Sequence, residues 1–434
     1  MLVLSCLLAA GACPKEPEIV ELGTLTISLW TPVGDDYLAD ASSVTVATTV
    51  DGAGATRTFA SGEELSLPDL EASAEGSIVS VTVTTDGSTL PDAIARTGEV
   101  ALAPNGGSVS SVAVLSARGV ARRFTDLLPD SRDDAAVCSA NDGTILVTGG
   151  VRAGSPVAGS VVFDPHSRSL VPGPGQALDA VGSACAILDD GSVLLLAGAS
   201  ADGSGTARLY SAPSARETTA FGTSALTLAA GKRAFGASIV RAGEYVWLLY
   251  DDVVERRSVT DLGSVVRTTL SEAHLFGTIA ADDVGAVITG GYTDAARTIA
   301  SSTGHFVSQS GDSVTRPTLH DVQVASFGGR VYALLDDGIV RLTAPAYDLA
   351  TAERVLDTPT LTRSRARGAF VALDDDVTAF LSADGATLTR AAPNGVATSP
   401  LTPAHPGGML VSGVSGALFV IGGVAGSSVY VADD

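Results

Sequence analysis

Short apolar runs alternate with glycine-rich and acidic turns along most of the chain, and one such unit recurs. Its clearest copy is Asp142 to Gly150, DGTILVTGG: a tight-turn pair, a run of strand-forming residues, then two glycines. The shape returns as VLLLAG (Val193 to Gly198), YVWLLY (Tyr245 to Tyr250), AVITGG (Ala286 to Gly291), VYALLD (Val331 to Asp336), VTAFLS (Val377 to Ser382) and LFVIGG (Leu418 to Gly423). Measured at the last residue of each, successive spacings are 48, 52, 41, 45, 46 and 41 residues. Around the first copy the pattern reads as four strands: AAVCS (Ala135 to Ser139), ILVTGG, SVVFD (Ser160 to Asp164) and Ser169-Leu170-Val171.

A four-stranded sheet cannot cover both its faces alone, so units of this period must pack on copies of themselves, which predicts a β-propeller over residues 118–434. Closure favours seven blades. The last unit supplies GMLVS (Gly408 to Ser412), LFVIGG and SVYVA (Ser428 to Ala432), one strand short. GVARRF (Gly119 to Phe124), which has no partner of its own, is expected to complete it as the outer strand and remove an exposed edge.

Residues 22–117 follow another rhythm. LTISLW (Leu25 to Trp30), SVTVATTV (Ser43 to Val50), TRTFA (Thr56 to Ala60), SIVSVTVTT (Ser77 to Thr85), EVALA (Glu99 to Ala103) and SVSSVAVL (Ser108 to Leu115) alternate apolar with small polar residues. Period two predicts strands buried on one face, and about six in this length suit a small immunoglobulin-like β-sandwich. Trp30 reads as a core aromatic of that unit. The expected fold class is thus all-β, a small sandwich followed by the propeller, and 48 glycines with few Met and Trp agree with many short strands.

A formal net charge of −22 repels nucleic acid, so no nucleic-acid partner is expected. Residues 2 to 13, LVLSCLLAAGAC, form an apolar stretch too short to span a bilayer and end at Cys13, after which PKEPEIVE (residues 14–21) reads as an extended tether. The stretch 1–13 resembles a bacterial lipoprotein leader, with Ala10-Gly11-Ala12-Cys13 standing where the lipobox would be. No Lys or Arg precedes the run, and Ala10 stands where such leaders usually have Leu. The resemblance implies export and lipidation of Cys13, anchoring the protein to a membrane on the periplasmic or cell-surface side. Cys138 and Cys185 occupy near-equivalent places in adjoining repeats, fit either to bridge two blades or to sit as separate buried thiols.

The repeats resemble the kelch family of β-propellers. Gly149-Gly150, Gly290-Gly291 and Gly422-Gly423 end strand two, and Phe163, Tyr210 and Tyr430 stand where kelch repeats have a strand-three aromatic. The third, fifth and sixth units lack the diglycine, and the kelch fourth-strand tryptophan is absent. No motif for catalysis emerges: Gly413 to Ala417 departs from a nucleophile elbow at its last residue, and the acid pairs such as Asp189-Asp190 and Asp336-Asp337 read as solvated turns. No cofactor or metal site is expected.

Arg132, Arg233, His274, His320, Arg365 and His405 precede six of the seven strand-two anchors by 16 to 18 residues. Corresponding places in a propeller lie on one circle, so these bases are expected at one end of the ring, either binding an acidic ligand such as a carboxylated sugar or hydrogen-bonding loop carbonyls. The expected role is a non-catalytic recognition protein of the bacterial cell envelope, binding a protein or glycan through the propeller loops. A mutarotase-like enzyme using the ring's Arg and His, or a purely structural envelope component, are the alternatives.

Overall fold

The computed structural model describes residues 21–431 apart from short internal stretches, the longest of them 124–131 and 358–366. The proposed leader, Cys13 and most of the tether lie outside the described residues. The amino-terminal part builds two sheets. One has Glu21–Trp30 at its centre, antiparallel to Leu65–Ala72 and parallel to Gly107–Val114. The other orders Ala53–Ala60, Ala41–Val50, Ser77–Gly87, Ala93–Arg96 and Ser116–Ala117, with Val100–Leu102 also paired to Ser77–Gly87. Alternate residues of both meet in one core: Leu25, Ile27 and Leu67 from the first, Val44, Val46, Val81 and Val83 from the second. Leu65–Ala72, with Pro68 and charged neighbours, is a strand the alternation did not predict; it lies at an edge, where a missing N–H is tolerated.

The remainder forms seven four-stranded antiparallel sheets. Their first strands are Ala136–Ser139, Ala184–Ile187, Ser238–Ala242, Thr278–Ala281, Gln323–Phe327, Phe370–Asp374 and Met409–Ser412. Each of these strands lies beside the next, and the last returns to the first. The architecture is all-β and propeller-like. Its second strands, such as Tyr245–Tyr250 and Ala417–Ile421, read as unbroken apolar runs because both faces are covered: Val246 and Leu248 pack on the second sheet's side, Trp247 and Leu249 on the fourth's. Arg122–Arg123 pairs antiparallel with Ser428–Val429, giving the last sheet its fourth strand from the start of the array.

Two contacts tie the parts together. Cys138 and Cys185 are joined by a disulfide with Cα atoms 5.7 Å apart, bridging the first strands of the first two sheets. Trp30 leaves the amino-terminal core and stacks on Phe163, ring centres 4.3 Å apart, in a cluster with Ile94, Val114, Phe419 and Val429. Trp30 is therefore a junction residue: its strand ends where the two sheets meet the first and last repeats, and a large flat side chain covers more apolar surface there than inside a core filled by Val.

Candidate functional site

Strand pairing places the sequence-predicted bases. The residues opening the first strands, from Ala136 to Met409, each face an equivalent residue of strand two. Four residues earlier stand Arg132, Ala180, Ala234, His274, Leu319 and His405. Arg132, His274 and His405 thus share one level of the ring, whereas Arg233 falls one residue before it and His320 one after. Arg365 lies outside the described residues. The offsets arise because the hairpin between strands one and two varies in length, so counting back from the end of strand two accumulates an error.

The three aligned bases face protein. His274 donates from Nδ1 to the Gly290 carbonyl at 2.8 Å, and His405 from Nδ1 to the Gly422 carbonyl at 2.9 Å. Each bond latches the turn that leads into strand one to the first glycine ending strand two. His405 also meets Ser428 Oγ at 2.9 Å through Nε2. His305 holds the place of Ser428 in the fourth repeat, and its ring stands edge-on to His274 with centres 5.2 Å apart. His274 Nε2 and His305 Nδ1 are buried without a partner. Burial holds both rings below the ordinary histidine range, His305 down to about 4 with His274 adding to the fall. Arg132 donates to the Gly159 carbonyl at 3.3 Å. Arg233 instead turns to Asp251, donating from Nε and Nη2 at 3.2 and 2.9 Å, and His320 is exposed with Nδ1 donating to Pro317 O at 2.7 Å.

The axis carries a base that sequence reasoning missed. Arg367 leads into the sixth sheet, yet its Nη1 donates to Gly182 O at 3.2 Å and to Ala237 O, and its Nη2 to Ser183 O at 2.7 Å and Ala135 O at 3.4 Å. It crosses the ring to the first three sheets. Full burial lowers its pKa to about 10, so the guanidinium stays charged at neutral pH. Below it lies an axial cavity of about 270 Å³ lined by first strands of all seven sheets, including Val137, Ile239, Ile279, Val324 and Met409. With both terminal nitrogens committed to carbonyls, Arg367 ties the ring together rather than offering a free anion clamp. Its position ahead of Gly368, in the run TRSRARG, was a weak signal beside the evenly spaced Arg365.

Above Arg367 the mouth is closed. Phe235 and Phe276 meet edge-on with centres 4.9 Å apart, Arg297 lies 3.7 Å over the Phe276 ring, and its guanidinium pairs with Asp134. Arg297 belongs to the fourth repeat's loop between strands two and three, and Asp134 to the lead-in of the first. Within that loop Asp294 accepts from Thr298 N at 3.0 Å, Thr298 Oγ1 at 2.7 Å and Ile299 N at 2.7 Å, which hold its carboxyl below the usual range. Ile299 is left 60% exposed on a loop fixed at both ends.

Beside this loop, between the fourth and fifth sheets, opens a second cavity of about 220 Å³. Gly290 and Gly291 form part of its wall, Tyr292, Ala300 and Ser301 its loop side, and His320, Asp321 and Gln323 its far side. The corresponding junctions elsewhere are tighter. A Cβ placed on Gly149 would come within 2.4 Å of Ala180 O in the next repeat, and one on Gly422 within 3.0 Å of Arg132 O. On Gly290 the nearest atoms are Val322 O at 3.6 Å and His320 O at 3.9 Å. The 3-10 turn Pro317–Leu319 precedes His320, and Leu319 takes the buried place that His274 and His405 hold elsewhere. The fifth repeat has no diglycine carbonyl for a histidine to latch onto, so His320 is left at the rim.

A third charged cluster is structural. Glu255 is completely buried and accepts from Tyr250 Oη at 2.5 Å, Arg257 Nη2 at 2.6 Å and Arg267 Nε at 2.7 Å, while burial and the carboxylate push the Tyr250 hydroxyl upward.

No protein-family model and no curated protein matches the chain. Among solved structures it is similar to virginiamycin B lyase from Staphylococcus aureus, at 11% identity and a TM-score of 0.48, over 69% of this chain and 94% of that one.

Proposed function

We propose that the protein is a seven-bladed, kelch-like propeller behind a small β-sandwich, exported and anchored through Cys13, that recognises a glycan or protein through the loop face around Arg297. One observation carries the reading. The loop Thr293 to Ile299 is built before any ligand arrives, capped within by Asp294 and pinned across the ring mouth by Arg297 and Asp134, and it borders an open cavity. Preorganised rims lower the ordering cost of binding. Supporting the ring are the cyclic order of the first strands and the shared closure of the last sheet; supporting the sandwich is the single core between the amino-terminal sheets. The histidines and arginines named from the sequence serve this reading as latches that shape the face.

The test is binding by the soluble chain starting at Pro14, immobilised and exposed to envelope glycans and purified envelope proteins. Saturable binding that weakens about tenfold in Asp294→Ala is expected. Silence toward both classes of ligand would overturn recognition and leave a structural role.

A further inference from the structure

We propose that the cavity between the fourth and fifth sheets is a subsite for one neutral sugar ring, an inference that rests on the recognition reading and narrows it. Three features select this chemistry. The volume of about 220 Å³ lies below the ~300 Å³ at which drug-sized pockets begin, so one ring is the scale of ligand it admits. Its polar lining is mainly hydroxyl and amide: Thr278 and Thr289, paired through Oγ1 at 2.8 Å, with Ser301 and Gln323. Such groups both donate and accept, as the hydroxyls of a sugar do. The ionised side chain on the wall is the Asp321 carboxylate, and no Lys or Arg lines the cavity, which opposes an acidic ligand.

The aromatic lining separates a sugar from a quaternary amine. Phe276 has Arg297 over its ring at 3.7 Å, which leaves Tyr292 to offer an apolar wall. An aromatic cage for a methylated ammonium uses several ring faces, whereas a pyranose packs one face of C–H groups on a single ring. This departs from the acidic ligand expected from the ring of bases, because the bases that align are latched to carbonyls and the open cavity has the opposite sign. Openness is specific to this junction: the glycine-to-carbonyl gap of 3.6 Å or more compares with 2.4 and 3.0 Å at Gly149 and Gly422.

The experiment is saturation-transfer NMR on the chain from Pro14 with millimolar glucose, galactose, mannose and N-acetylglucosamine, against glucuronate, sialic acid and choline. Ala300→Trp, on an exposed rim residue, and Asp321→Asn are run beside it, with thermal melts to confirm folding. Transfer to at least one neutral hexose, none to the acids or choline, and an affinity at least tenfold weaker in Ala300→Trp are expected. Transfer to glucuronate or choline alone, or a hexose signal untouched in a folded Ala300→Trp, overturns the subsite. Wild-type binding to longer glycans that Ala300→Trp retains overturns the subsite while sparing recognition; silence toward every sugar and envelope protein overturns both.

Discussion

The junction between the first and second repeats and the junction between the fourth and fifth are built from the same parts and do opposite things. At the first, Ala180 O closes on Gly149, Gly150 N donates to Ala180 O at 3.1 Å, and Cys138 is bonded to Cys185. At the second, the lead-in turn is held away by a 3-10 turn, Gly290 faces free space and a cavity remains. The lesson is that a repeated position has no fixed role. Where neighbouring sheets touch, it holds the ring; where they part, it becomes available to a ligand.

The largest effect should come from adding one methyl group at the closed junction. Both glycines have positive φ, 64° at Gly149 and 62° at Gly290, so Ala at either costs about 1–2 kcal/mol of backbone strain. Gly149→Ala adds overpacking of about 1–3 kcal/mol against Ala180, and Gly290→Ala does not. Urea unfolding midpoints should therefore separate the two variants; equal losses would erase the contrast. Next in size is the disulfide. Cys138→Ala with Cys185→Ala should lower stability by about 2–4 kcal/mol, read in the same assay against the reduced wild-type chain. A change under ~0.5 kcal/mol would mean that non-covalent contacts alone close that junction.

The histidines sharpen the comparison further. His405→Ala removes a bond to Gly422 O and one to Ser428 Oγ from a site with no exposure, for a loss of about 1–3 kcal/mol. His320→Ala, at the exposed rim, should stay within ~0.5 kcal/mol. The smallest effect is pH dependence. His274 and His305 are held below their unfolded-state pKa, so the stability of their neutral forms is complete above about 6.5 and is lost as pH falls toward the His305 value of about 4. His305→Ser, which copies the His405–Ser428 pair, should flatten that acid limb in melts taken from pH 7 to 4.

Much of this was legible in the chain. Second strands covered on both faces leave continuous apolar runs, and Val246 to Tyr250 shows the buried result. The closing role of Arg122–Arg123 followed from a last unit one strand short. The candidate site was less legible. Arg233 and His320 were misplaced by one residue because hairpin lengths differ, and strand pairing is what restores the alignment. Arg367 was hidden because its partners, Ala135 through Ala237, lie more than a hundred residues away across the axis. Trp30 looked like a core residue because sequence alternation says which face is apolar but not what covers it.

Amide chemical-shift mapping during a titration with the neutral hexose that binds tests the contrast between junctions most directly. The account predicts shifts at Tyr292, Ser301, Asp321 and Gln323 that saturate together, with Gly149 and Ala180 unmoved. Shifts centred on Gly149 and Ala180, or none at the fourth and fifth repeats, would contradict it.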